Sequence, residues 1–192
     1  MKHELWYSVV VRDRQGKVLS RERCRSRSFL KAWNQLMFAQ VCDLEGAAYG
    51  TIKATDGSVG YGYAEARNFR VESHGSYGGI FCGTGDTPVA IDDFELEGLI
   101  AEGAGPGQFN YSGMSTVTAA TLDGSHCQFG VSRSPVNNSG NPITVKEVGI
   151  HTSFYVSTTQ KWMLAIRDVL ETPQEVPNGG AITVDYTLEV VA

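Results

Sequence analysis

Apolar and polar residues alternate over positions 181–191 of the chain. The apolar positions of this segment are Ile182, Val184, Tyr186, Leu188 and Val190. Threonine and acidic residues occupy most of the positions between them. Because successive side chains of a strand point to opposite faces, the alternation predicts a strand with one buried and one solvated face.

The N-terminal segment shows the same period. Residues 5–12 are β-branched and aromatic, with Leu5, Tyr7, Val9 and Val11 on one face, which predicts a second strand. Residues 13–16, with Asp13 and Gly16, are typical of a turn, and residues 17–24 can return as the other arm of a hairpin.

One segment has a helical period instead. Its apolar side chains are three or four positions apart: Phe29, Leu30, Trp33, Leu36, Met37 and Val41. Ser28 is of the residue type that caps helix N-termini, and the polar and glycine residues at 43–46 end the pattern. The sequence therefore predicts one helix over about residues 28–42.

The remaining residues indicate short strands that are separated by tight turns. Turn dipeptides occur at residues 56–57, 123–124 and 178–179. The predicted strands span residues 49–55, 59–64, 68–72, 79–83, 115–122, 127–133, 144–152 and 162–170. We expect a mainly β fold, an antiparallel β-sandwich or jelly-roll-like domain with one helix. A single domain of residues 1–192 would combine a hairpin and helix (1–45) with a sandwich body (46–192).

Composition narrows the class of protein. The chain has 192 residues, 42% of them hydrophobic, which is enough to bury a core without a disulfide or a metal. No apolar stretch is long enough to cross a membrane, and residues 1–4 do not resemble a secretory leader, so we expect no membrane partner. The four cysteines (Cys24, Cys42, Cys82 and Cys127) lack metal-site spacing and are expected to be reduced core residues.

Charge is distributed unevenly along the chain. The first 31 residues carry a net charge of +6 and the remainder carries −11. Arg21, Arg23, Arg25 and Arg27 occupy every second position, so in an extended segment all four share one face. They can form a charged edge strand that discourages pairing, or an assembly contact with an acidic neighbour. Nucleic-acid binding is less favoured, because the rest of the chain is acidic and contains no recognised binding motif.

Motifs for catalysis or cofactors are weak. The glycine-rich residues 83–86 and 103–107 lack the features of phosphate loops and are interpreted as turns. No nucleophile motif or histidine spacing indicates a catalytic centre, so we expect neither enzymatic activity nor a cofactor. Asp86, Asp92 and Asp93 are the best candidates for a hard cation, but apolar residues interleave this acidic run and favour a solvated loop over a metal site.

Several sequence phrases in the second half resemble structural proteins of tailed bacteriophages. They are GIFCGTGDTP (79–88), IDDFELEGLI (91–100), GPGQFNY (105–111), NNSGNPITVKEVGI (137–150), LAIRD (164–168), VP (176–177) and AITVDYTL (181–188). Their order looks like that of such proteins, which are found among head-decoration, neck and tail-fibre-type virion components. The resemblance covers about residues 78–192, with a weaker similarity in the segment 28–41.

The resemblance implies a β-sandwich assembly module without enzymatic activity. We therefore expect a virion protein on the head, neck or tail, made in the cytoplasm of the host bacterium. Its partners would be other virion proteins and copies of itself. The chain lacks the repetitive shaft of tail fibres, which favours a compact component. The alternative is a carbohydrate-binding adhesin or receptor-binding module, with exposed aromatics as candidate contacts: Tyr61, Tyr63, Phe69 and Tyr77.

Overall fold

The computed structural model describes residues 2–26, 28–42, 51–61, 78–111, 113, 115–156 and 159–191, with the backbone alone at residues 2, 39–42, 61 and 154–156. In these ranges the chain forms eleven strands and one helix. In order, they are β1 (Lys2–Arg12), β2 (Val18–Ser26), α1 (Lys31–Cys42), β3 (Thr51–Lys53), β4 (Val59–Tyr61), β5 (Gly79–Gly83), β6 (Thr116–Val117), β7 (Thr121–Asp123), β8 (His126–Arg133), β9 (Ile143–Val156), β10 (Thr159–Val176) and β11 (Ala181–Val191).

The larger of the two main sheets joins the two ends of the chain. Its strand order is β2-β1-β11-β8-β6, and β7 also pairs with β8. β1 and β11 are antiparallel over their whole length, from Lys2 opposite Val191 to Arg12 opposite Ala181. The N-terminal hairpin is therefore an integral part of this sheet, and β2 is at its edge among the described strands.

The smaller main sheet has the order β10-β9-β5, and β3 and β4 form a separate hairpin. All ladders between these strands are antiparallel. One apolar core contains buried side chains from both main sheets, among them Leu5, Tyr7, Val9, Val184 and Tyr186 from the larger sheet and Ile80, Val148, Ile150, Leu164 and Ile166 from the smaller one. The predicted mainly β, antiparallel sandwich-like fold with one helix is confirmed.

The helix begins three residues later than predicted. Ser28 does not cap it, because the Ser28 hydroxyl is buried and donates a hydrogen bond to Asp168 Oδ1 at 2.7 Å. Phe29 forms an isolated bridge with Ile166, and the Leu30 amide donates to the Ala165 carbonyl. Residues 28–30 thus lie along β10. No helix of the described residues is long and apolar enough to cross a membrane.

Several strand bounds also differ from prediction. The predicted strand 115–122 is divided into β6 and β7, while 144–152 and 162–170 lie within the longer β9 and β10. β10 carries irregularities in its register with β9 between Leu164 and Ile166 and between Val169 and Gln174. Such bulges bend a strand, which interrupts a simple alternation in sequence. The predicted strand 68–72 lies outside the described residues.

Candidate functional site

The predicted arginine face lies on the edge strand of the larger sheet. Arg21, Arg23 and Arg25 are exposed on β2, and half-buried Glu22 and Cys24 lie between them. Arg27 lies outside the described residues. Among those residues, no strand pairs with the outer edge of β2. We call Arg21, Arg23 and Arg25 the basic face.

Local contacts orient two members of the basic face. Arg25 Nη2 lies 3.1 Å from Glu4 Oε1, and the Arg25 side chain remains 51% exposed. The Arg23 guanidinium lies 5.0 Å from the centroid of the Trp6 ring. Exposed ion pairs contribute little to stability, about 0–1 kcal/mol. These contacts therefore position the guanidinium groups and leave them accessible.

Glu22 points to the opposite side of β2 and attaches this strand to β10. Its carboxylate accepts hydrogen bonds from the Tyr7 hydroxyl at 2.9 Å and from the backbone amides of Glu171 and Thr172 at 3.1 and 3.2 Å. Burial, followed by hydrogen bonds to Cys24 and Glu22, raises the pKa of Tyr7. Glu22, the single acidic residue between these arginines, therefore forms its hydrogen bonds within the fold.

A groove of about 730 Å³ runs between β2, the loop around Val89 and Ile91, and β10. We call it the edge groove. Its lining includes Arg23, Arg25, Val89, Ile91, Asp168 and Glu171. Asp168 is buried and accepts hydrogen bonds from Ser28 and from Tyr186, whose hydroxyl lies 3.0 Å from Oδ2. The groove therefore has basic, apolar and acidic residues along its walls.

The three candidate metal ligands do not converge. Asp86 forms an ion pair of 2.7 Å with Lys146, and the hydrogen bond from Lys146 is the main reason for the lowered pKa of Asp86. Asp93 accepts a hydrogen bond from Arg167 at 2.8 Å, and Asp92 is exposed. In the part of the chain that the structure describes, no three His, Cys, Asp or Glu side chains could hold a metal ion.

Sequence reasoning missed a buried ion cluster, which consists of Glu147, Arg167 and Asp93. Arg167 Nε lies 2.7 Å from Glu147 Oε2, and both side chains are buried. Burial alone would lower the pKa of Arg167, but hydrogen bonds to Glu147 and Asp93 outweigh it and raise the pKa. The sequence does contain a signal for this cluster: one charged residue, Glu147 or Arg167, lies within the apolar segment of each of two predicted strands.

The buried ion cluster explains why residues 83–86 contain two glycines. Glu147 Oε1 accepts hydrogen bonds from the backbone amides of Gly85 at 3.1 Å and Gly98 at 2.8 Å. A Cβ atom at Gly83 or Gly85 would collide with the Glu147 side chain. Residues 83–86 do not form the predicted turn: Gly83 ends β5, and residues 84–86 continue as a loop that lies against the Glu147 carboxylate.

The carbohydrate candidates are largely outside the described residues. Tyr63, Phe69 and Tyr77 fall there, and for Tyr61 only the backbone in β4 is described.

A different apolar groove, of about 700 Å³, lies between α1 and the larger sheet and includes Met37 and Phe129 in its lining. Met37 is 42% exposed and Phe129 36%.

Comparison of the chain with protein-family models, with curated proteins and with solved structures gave no match.

Proposed function

We propose that this chain is a non-enzymatic structural protein of a tailed-bacteriophage virion, which assembles on the head, neck or tail. It would be made in the cytoplasm of the host bacterium and would act without a cofactor. Its partners would be copies of itself and other virion proteins, rather than nucleic acid or a membrane.

The observation that carries the proposal is the basic face on β2, whose outer edge pairs with no strand of the described residues, in a chain that is otherwise acidic. Arg21, Arg23 and Arg25 project from one exposed side of β2, while residues 32–192 have a net charge of −11. Complementary charge speeds association and sets the register of protein contacts. Each copy of the chain carries both signs, which suits a subunit that assembles with others like it.

The phrases that resemble phage structural proteins also support this role. They supply the members of the buried ion cluster: Glu147 belongs to residues 137–150, Arg167 to 164–168 and Asp93 to 91–100. In the 105–111 phrase, the Tyr111 hydroxyl accepts a hydrogen bond from the Cys82 amide and donates to the Ile100 carbonyl. Several of the phrases are thus joined by hydrogen bonds and ion pairs inside the fold.

Purified particles provide the test. Quantitative mass spectrometry of virions that encode this chain should detect it at a fixed copy number. Hundreds of copies indicate decoration of the head, and about a dozen or fewer indicate the neck or tail. Absence of the chain from particles would contradict the proposal. Glycan-array binding by the purified chain would instead favour the carbohydrate-binding adhesin.

A charge-reversal variant tests the contact itself. Arg23→Glu with Arg25→Glu should leave the chain folded, because both side chains are exposed, but should reduce its incorporation into particles. The matched control is Arg14→Glu with Lys17→Glu, which reverses two exposed charges near the turn of the same hairpin. Equal incorporation of both variants would show that the basic face is only a solvated edge.

A further inference from the structure

The outer edge of β2 carries backbone groups that are open to a further strand. Among the described strands β2 pairs with β1 alone, and no hydrogen bond joins the backbone of residues 21–25 to a described residue outside β1. Every second residue of a paired strand turns its amide and carbonyl away from its partner. Such an edge is a template on which another extended chain can form a β ladder.

The residues whose backbone faces this open edge are the members of the basic face. One row across the larger sheet shows this, in which the following residues lie opposite one another: Thr118, Gly130, Thr187, Trp6 and Arg25. Each residue turns its amide and carbonyl toward one neighbour only, so bonded and unbonded pairs alternate along the row. The Thr118 amide donates to the Gly130 carbonyl, so Thr187 bonds to Trp6. The backbone of Arg25, and of the other members two and four positions away, therefore faces outward.

The side chains of the basic face determine which strand this edge favours. A residue directly opposite on an antiparallel strand has its side chain on the same face of the sheet. A second copy of β2 would therefore place arginine opposite arginine, and like charges in this position are destabilising. A strand with glutamate or aspartate at every second position would instead place a carboxylate opposite each arginine. The edge thus disfavours its own copy and favours an acidic strand.

The edge groove determines which residues suit the positions between the acidic ones. The groove lies along β2 at Arg23 and Arg25, and its other wall includes Val89 and Ile91. Ile91 is 64% exposed. Side chains on the second face of an added strand would point into this groove and contact that wall. Glu171 also lines the groove, so apolar residues are favoured at these positions over further acidic ones.

We infer that the outer edge of β2 binds an extended segment of a partner protein as an added antiparallel strand, in which acidic and apolar residues alternate. The backbone of the segment extends the ladder, its acidic side chains contact the basic face, and its apolar side chains enter the edge groove. Main-chain bonds supply affinity in this mode of binding, and alternate side chains supply specificity. The inference deepens the proposed assembly role by stating the chemistry of the partner, and its biological purpose rests on that role.

A short synthetic peptide of alternating glutamate and valine is the probe, and fluorescence anisotropy measures its binding to the full chain. Binding should saturate and should weaken as salt screens the charges, and a peptide of alternating lysine and valine should not bind. Arg23→Glu with Arg25→Glu should weaken binding at least about tenfold. The matched control, Arg14→Glu with Lys17→Glu, changes the net charge equally at exposed positions of the same hairpin and should leave binding nearly unchanged. Far-UV circular dichroism of each variant establishes that it is folded.

Methylation of peptide nitrogens separates a β ladder from a purely electrostatic contact. In the inferred register the amides of the glutamates donate to β2, and the amides of the valines point away from it. N-methyl groups on the glutamates should therefore abolish binding. The same number of N-methyl groups on the valines should leave binding nearly unchanged, because both peptides keep every charge and side chain. Equal binding of the two methylated peptides would overturn the inference.

Amide hydrogen exchange, followed by NMR, tests the same contact on the chain itself. In the free chain the amides of Arg21, Arg23 and Arg25 should exchange faster than those of Glu22 and Cys24, which face β1. Saturation with the glutamate–valine peptide should slow exchange of the three arginine amides at least about tenfold. Arginine amides that are already protected in the free chain, or that the peptide does not protect, would contradict strand addition at this edge.

The remaining outcomes separate this contact from other roles. Failure of the glutamate–valine peptide to bind, or equal binding of the lysine–valine peptide, would overturn the inference. A single-stranded oligonucleotide that binds where the acidic peptide does not would assign the basic face to nucleic acid instead. A chain that binds the peptide but never enters virions contradicts only the proposed function. A virion component that binds no acidic strand contradicts only the strand addition.

Discussion

The Arg167 guanidinium donates through Nε to the Glu147 carboxylate at 2.7 Å, and the Glu147 side chain has no exposure to solvent. Arg167 also donates through Nη2 to the Thr87 carbonyl at 3.2 Å and through Nη1 to Asp93. β9 and β10 thus hold the loop between β5 and residue 98 through one buried cation. This loop supplies Val89 and Ile91 to the edge groove, so the ion cluster positions this wall of the groove.

Removal of the buried cation should destabilise the fold strongly. Arg167→Met leaves the Glu147 carboxylate buried without its counter-charge, and breaking such a pair costs about 3–5 kcal/mol of the free energy of unfolding. Urea unfolding measures this loss. The matched control is Lys146→Met, which removes an exposed ion pair with Asp86 next to Glu147 and should change stability little. Equal losses would contradict a stabilising role of the buried cluster.

Gly149 allows close approach of β9 to its neighbours. A Cβ atom there would lie 2.7 Å from the Ile166 carbonyl oxygen and 3.0 Å from side-chain atoms of Leu164 and Leu96. Because a backbone carbonyl cannot move aside, Gly149→Ala should lower the unfolding free energy by about 1–3 kcal/mol. Gly130→Ala, where the nearest atom is the Thr118 hydroxyl at 3.1 Å, should cost less in the same urea titration. The reverse order would contradict this packing argument.

The described thiols should differ in reactivity. Cys82 is fully buried, and burial raises its pKa to about 12. Cys127 is exposed. At mildly alkaline pH, iodoacetamide should label Cys127 in the native chain and leave Cys82 unlabelled. The thiolate is the reactive form, and that of Cys82 is both scarce at this pH and inaccessible to the reagent. Peptide mass spectrometry reads the labelling, and denaturant should make both cysteines reactive. Rapid native labelling of Cys82 would refute its placement in the core.

Alkaline pH should destabilise the fold. Burial raises the pKa of Tyr111 and Tyr186 well above 10.0, and that of Cys82 from 9.0 to about 12. Above pH 9–10 the unfolded chain releases protons that the native chain retains. The stabilisation is therefore complete below pH 9 and is lost as pH rises, by up to about 1.4 kcal/mol per pH unit for each group.

Denaturant unfolding at a series of pH values measures this slope. Cys82→Ala should make the decline between pH 9 and pH 10 shallower, because it removes the group with the lowest ordinary pKa. Since this substitution also removes packing atoms, its effect is read from the slope and not from the absolute stability. An unfolding free energy that stays constant from pH 9 to pH 11 would contradict the buried positions of these groups.

The sequence by itself determined the type and approximate position of most described elements. The alternation over 181–191 predicted β11 with both its bounds, and residues 79–83 correspond to β5. The alternation at 21–25 placed three arginines on one face as soon as that segment was extended. These features follow from the local geometry of a strand, in which neighbouring side chains point in opposite directions.

Only the tertiary structure decided which of these elements meet. Asp93 and Arg167 are 74 residues apart, and Ser28 and Asp168 are 140 residues apart. The second pairing is the reason that Ser28 follows β10 instead of capping α1. Likewise, β11 pairs with β1 and not with β2, so that among the described strands β2 is left at the edge of the sheet. Alternation reports which face of a strand is buried, whereas the neighbour that buries it depends on contacts between distant parts of the chain.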